Sequence, residues 1–125
     1  MWQRLLVGVA CTVLTVDAAV LGAHRTEGAR RDQILQACAG ALRAVDDLRS
    51  GKISKASFSI NMRASARHAD IAGTKKGAYR HVALQVSFGI EQLEAALVEA
   101  PTRAALTGPV ANADVADFES LCRSV

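Results

Sequence analysis

The sequence predicts an all-α fold: an N-terminal signal or anchor helix followed by a bundle of about four helices. Two observations carry this. Alanine is abundant, while aromatic residues make up 4% of the chain and prolines number 2. Alanine has the highest intrinsic helix propensity, whereas β-branched and aromatic residues carry strands. The second observation is periodicity, with apolar residues recurring at steps of three and four over long stretches. The competing reading is an α+β fold with strands near residues 56–62 and 82–90, where apolar and polar residues alternate.

The chain has 125 residues and a net charge of +3. It divides into residues 1–23 and a single helical domain over 24–125. Arg4 and the free amine make a short positive start, and Leu5–Val16 is then largely apolar. This run has signal-peptide length. Asp17 interrupts it, and a carboxylate in mid-span costs about 2.5–3.5 kcal/mol. In the polar end of a signal it costs little. Val16-Asp17-Ala18 and Leu21-Gly22-Ala23 both have the small-residue character of a cleavage site.

Residues 5–23 are also close to the roughly 20 residues that a spanning helix needs. Export therefore takes two forms, a cleaved signal or an anchor that leaves the domain outside the cytoplasm. The alternative is an anchor with the domain on the cytoplasmic side. Arg25, Arg30 and Arg31 follow the run while only Arg4 precedes it, and the positive-inside rule then favours that second orientation. Cys11 lacks the preceding leucine of a lipid-modified cysteine.

In the domain, Leu35, Cys38, Leu42, Val45 and Leu48 form one helical stripe, and Ser50-Gly51 offers a stop. A helix from about Ser54 to Ala72 places Phe58, Met62, Ala66 and Ala69 on one face. Gly73-Thr74-Lys75-Lys76-Gly77 reads as a turn. From Ala78 to Glu99, Tyr79, Val82, Val86, Ile90, Leu93 and Leu97 keep helical spacing. Leu84 and Phe88 would make this helix apolar on a second side, as expected for a central helix covered by neighbours. Gly89 is unfavourable there by about 1 kcal/mol.

Thr102–Asn112 reads as a loop with a short turn near Arg103–Leu106. Asn112 is placed to cap a last helix through Arg123. In that helix Val115, Phe118, Leu121 and Cys122 face inward, and Asp114 and Asp117 suit the N-terminal dipole.

Cys38 and Cys122 are an even pair on the first and last domain helices, 84 residues apart. In an exported domain a disulfide is the better reading, and two buried free thiols are the alternative. An export-like start, Cys38 four residues before Leu42, alanine-rich middle helices and a final Leu121-Cys122 together resemble small exported alanine-rich helical proteins of high-GC actinobacteria. The resemblance spans most of the chain and implies no shared activity or site residues.

Catalytic signatures are missing. Serines 54, 57 and 59 lack the Ser-x-x-Lys or Gly-x-Ser-x-Gly context. Gly73–Gly77 lacks the Gly-Lys-Ser/Thr of a phosphate loop. His68, Asp70 and His81 could approach one another across the Gly73–Gly77 turn, but solvated surface histidines are the plainer reading. No cofactor is expected.

One charge asymmetry remains. Lys52, Lys55, Arg63, Arg67, Lys75, Lys76 and Arg80 face a single acid, Asp70, between residues 52 and 81. Acids dominate from Glu91 to Glu119. The basic segment could meet an anionic envelope polymer or lipid headgroups. It could equally be neutralised within the bundle or solvated. Nucleic acid is disfavoured because no aromatic platform accompanies the charge.

The expected function is that of a non-enzymatic, exported or membrane-tethered accessory module that binds a protein partner. The first alternative is an anionic-envelope binder using the basic segment. The second is a small enzyme or metal-binding protein using His68 and His81.

Overall fold

A computed structural model describes residues 27–125. The predicted signal or anchor, residues 1–23, lies outside the described residues. The described chain is helical throughout, with no strand. The apolar alternation at 56–62 and 82–90 is therefore an incidental product of helical stripes on two sides.

Helix α1 covers residues 27–49. It ends where expected, and the backbone shows why. Gly51 adopts φ 76°, a left-handed conformation that costs any side chain with a Cβ. Its N–H donates to Leu48 O, and Lys52 N–H donates to Asp47 O. The two bonds satisfy the last carbonyls of the helix in a Schellman arrangement.

Helix α2, Lys55–Gly73, is capped by Ser54, whose hydroxyl accepts from Ser57 N–H at 3.1 Å. That bond satisfies one of the donors a helix start leaves open. The turn after α2 uses a second positive φ, 151° at Gly77. Helix α3 is Arg80–Val98, and Pro101 follows its end. A short 3-10 turn, Ala104–Thr107, leads into α4, Pro109–Arg123.

The start of α4 corrects the expectation at Asn112. Gly108 is the N-cap and Pro109 the first helical residue. Proline suits that position because its fixed φ is helical and its missing N–H would have no partner there. Asn112 instead donates from Nδ2 to Thr107 O at 3.0 Å and accepts from Arg49 at 2.9 Å. Asp114 and Asp117 consequently fall outside the first turn, which holds no acid.

Residues 31–125 form one compact unit. Eight of its 21 buried apolar residues are alanine, among them Ala37, Ala41, Ala44, Ala69 and Ala72. Large side chains fill what the alanines leave, chiefly Phe58, Met62, Ile34, Ile90 and Leu97, each almost fully buried. The centre of the α1 stripe is thereby shifted from the expected one. Ile34, Ala37, Ala41 and Ala44 are buried beside Cys38 and Val45, while Leu35 and Leu42 are half-buried at its edge. Small residues win the centre because they let helices approach: a Cβ on Gly40 would stand 2.5 Å from Ser65 Oγ of α2.

α2 and α3 run antiparallel, in a register marked by Arg63 beside Glu94 and Asp70 beside Ser87. α3 is the shared neighbour of α2 and α4. Gly89 marks its approach to α4, since a Cβ there would come within 3.2 Å of the Phe118 ring. The helix-weakening glycine is thus explained by close packing.

The Sγ atoms of Cys38 and Cys122 meet at disulfide distance, with Cα atoms 6.0 Å apart. That separation is ordinary for a bonded pair. Among the described residues no helix is long and apolar enough to cross a membrane.

Candidate binding groove between the third and fourth helices

Leu84 and Phe88 overturn one expectation. Their spacing predicts a covered second side of α3, yet they are 47% and 60% exposed. At 100° per residue, Val86, Ile90, Leu93 and Leu97 turn inward while Phe88 turns almost directly out. Leu84 leans on Gly73 of α2, whereas Phe88 stays mostly in solvent. A large aromatic ring held in solvent forfeits the burial that would otherwise stabilise it by roughly 1.5–3 kcal/mol.

Beside Phe88 the surface falls into an open groove of about 500 Å³ between α3 and α4. Its floor is apolar, built from Gly89, Leu93, Phe118 and Leu121. Gln85 and Gln92 edge it on the α3 side, and Asp114 and Asp117 on the α4 side. The lining residues recur at helical spacing on both helices, 85, 88, 92 and 96 on α3 and 114, 117 and 121 on α4. Such facing stripes are the geometry into which a further helix packs.

The aspartates expected to serve the α4 dipole are thus rim groups of an apolar channel. No basic residue lines it. A cation approaching the channel gains from both carboxylates.

The seven basic residues predicted to form one anionic-partner surface are dispersed. Lys52 lies in the α1–α2 loop, and Lys75, Lys76 and Arg80 lie at the other end of α2. Nineteen helical residues separate those ends by roughly 28 Å. Lys55 is engaged elsewhere, donating to Val98 O and Ala100 O at the end of α3. Arg63 pairs with Glu94 at 3.6 Å, with its side chain still 75% exposed. Arg67 remains on the outward face of α2, exposed, between Ile60 and Ile71.

The charges of α3 oppose its own dipole. Arg80 and His81 open the helix, and Glu91, Glu94 and Glu99 crowd its end, with no acid in the first turn and no base in the last. At the very ends, Arg80 in the first turn and Glu99 at the C-cap are each unfavourable by about 0.3–1 kcal/mol at low salt. Helix stability does not account for this charge order. Lys55, contributed by α2, offsets part of it.

His68 and His81 are both exposed. Asp70 does not join them, because its Oδ1 accepts a short hydrogen bond from the Ser87 hydroxyl. Among the described residues no group of three His, Cys, Asp or Glu side chains could hold a metal ion.

The groove is the feature that sequence reasoning missed. Its signals were present in Leu84 and Phe88, the two large apolar residues that α3 does not need for its inward stripe. No protein-family model matches the chain, and no curated protein or solved structure is similar to it.

Proposed function

We propose that this chain is a non-enzymatic helical accessory module that binds a protein partner through the α3–α4 groove. The observation that carries this reading is Phe88, a mostly exposed ring at the edge of an apolar channel with helical spacing on both walls. Exposed apolar surface of this kind, rimmed by polar groups, is characteristic of protein contact sites. Apart from Asp114 and Asp117 on the rim of the groove, the ionisable residues are distributed along helix surfaces, which supports the same reading.

The proposed setting is outside the cytoplasm, with the domain exported or held at a membrane by residues 5–23. The disulfide-distance pair of Cys38 and Cys122 supports it, since such bonds persist in oxidising compartments. N-terminal sequencing of the native protein separates a cleaved signal, starting near Ala19 or His24, from an anchor that retains Met1. A full-length protein found free in the cytoplasm contradicts both forms.

For the groove itself, a photo-crosslinking aromatic residue is placed at Phe88 and, as a control, at Lys52. A protein adduct formed from position 88 and not from 52 supports the reading. Equal labelling at both positions, or turnover that depends on His68 or His81, contradicts it.

A second reading, contact with an anionic envelope polymer or lipid headgroups, draws on the cationic residues at the α2–α3 turn, including Lys75 and Arg80. Binding of this kind weakens steeply with ionic strength and is lost on Arg63→Glu with Arg67→Glu. Binding that survives both belongs to the apolar groove.

A further inference from the structure

We infer that the α3–α4 groove receives an amphipathic helix of a partner protein, one that carries lysine or arginine along a single flank. This rests on the groove being a protein-binding site and names the chemistry of what occupies it.

Shape sets the first half of that description. On α3 the lining runs from Gln85 to Ala96, and a rise of 1.5 Å per residue makes this wall about 16 Å long. About three turns of a partner helix cover that length. The floor of Gly89, Leu93, Phe118 and Leu121 is apolar from one wall to the other. A helix laid along it must turn apolar side chains inward at every third or fourth position, the pattern by which helices dock in grooves. Phe88, exposed at the α3 edge, adds a ring against which such a side chain packs.

Charge sets the second half. Asp114 and Asp117 are the ionisable residues of the lining, and both belong to α4. The α3 edge offers the neutral amides of Gln85 and Gln92. Among the described residues neither carboxylate has an ion-pair or hydrogen-bond partner. The cation of α4, Arg123, pairs with Glu119 at 3.9 Å and projects from the side of the helix opposite Asp114. On α3, Arg80 and His81 stop a full turn short of Gln85. The groove therefore keeps two unopposed negative charges in a chain whose net charge is +3.

An acidic helix would meet repulsion along the α4 edge. A neutral one would take water from the carboxylates without returning a partner, which is costly. A basic flank supplies the partner. Asp114 and Asp117 are separated by about 4.5 Å along the axis of α4, so lysines or arginines three or four residues apart on the incoming helix match them. Because both acids stand on one edge, they also fix its rotation, with the basic flank toward α4 and the other toward Gln85 and Gln92. The apolar floor supplies the affinity, and the charges supply the orientation.

The test uses the chain as isolated from the cells that produce it, and two designed helical peptides with the same leucine stripe. One peptide carries lysines on the flank and the other carries glutamates at the same positions. By fluorescence anisotropy the lysine peptide should bind roughly tenfold tighter, and the advantage should shrink as salt rises. Asp114→Lys with Asp117→Lys should reverse the preference, and Asp117→Lys alone, at an exposed position, should narrow it. Phe88→Ala should weaken both peptides. Far-ultraviolet circular dichroism verifies the fold of each variant. In the producing cells, the photo-crosslinking residue at position 88 should join a segment of another protein that has the apolar repeat and the basic flank, read by mass spectrometry.

Two peptides bound alike, or a preference unmoved by Asp117→Lys, overturn the basic helix while leaving the groove as an apolar protein site. So does a cellular adduct whose joined segment is acidic or lacks the apolar repeat, and so does one formed with a second copy of this chain. Failure of both peptides to bind, together with no adduct from position 88, overturns both readings.

Discussion

Lys55 Nζ donates to Val98 O at 2.9 Å, and to Ala100 O at the same distance, so the first residue of α2 closes the end of α3. The last carbonyls of a helix lack intrahelical partners and carry the negative end of its dipole. α3 has no basic residue of its own in that turn. A cation from the neighbouring helix supplies both the donor and the charge. Lys55→Met should therefore lower stability by about 1 kcal/mol, a fall of about 4–8 °C in melting temperature for a domain of this size. Lys52→Met, three residues earlier in an exposed loop, should leave the melting temperature unchanged.

The Cys38–Cys122 pair closes a loop across 84 residues. In the chain-entropy model such a link stabilises by about 4–5 kcal/mol, with native strain subtracting from that figure. Small domains hold only about 5–15 kcal/mol in total. Reduction, or Cys122→Ala, should thus lower the melting temperature far beyond the loss of one small side chain. Non-reducing peptide mapping of protein from its native compartment should recover the two cysteines in one linked fragment pair. Two free thiols there would refute both the bond and the argument for an oxidising setting.

Ser87 is 5% exposed, and its hydroxyl donates to Asp70 of the facing helix. Asp70→Ala strands a buried donor, which costs about 1–3 kcal/mol. Ser87→Ala removes the donor as well as the bond and should cost less. Adding Ser87→Ala to Asp70→Ala should then recover part of the loss, a coupling of roughly 0.5–1.5 kcal/mol by double-mutant cycle in urea. Strict additivity would show that the bond does not contribute.

Gly51→Ala should destabilise by about 1–2 kcal/mol, because alanine at a left-handed φ is strained whatever space surrounds it. Gly51→Asn should cost less, since asparagine tolerates that conformation. Urea midpoints of the two variants give the order directly, and equal midpoints would contradict the αL argument.

The helices were legible in the sequence because each leaves a local signature. Ser54, Gly51, the Gly73–Gly77 turn and Pro101 are stop and start signals that act within a few residues. Phe58, Met62, Ala66 and Ala69 sit where their spacing placed them. The start of α4 is ambiguous in sequence because Asn112 and Gly108-Pro109 are both valid helix openings. Only the reach of Asn112 to Arg49 and Thr107 reveals which role it fills.

The candidate groove was much less legible. Hydrophobicity says that Leu84 and Phe88 prefer burial, and on a central helix that implies neighbours on both sides. Whether a neighbour exists is a property of how many helices surround α3, which no local pattern encodes. The basic segment depends on tertiary placement in a related way. Lys52 to Arg80 is continuous in sequence, but α2 puts its own length between Lys52 and Lys75, with Arg63 and Arg67 along it.

By itself, then, the sequence determined the helical class, the described helices to within a few residues, and the two cysteines as candidates for a link. These follow from propensity, capping chemistry and periodicity, all of which act over one or two helical turns. The tertiary structure alone decided that alanines 37, 41 and 44 take the centre of α1, that Lys55 serves α3, and that Asp114 and Asp117 edge a groove. These depend on which helix lies against which and at what height, set by contacts between residues tens of positions apart.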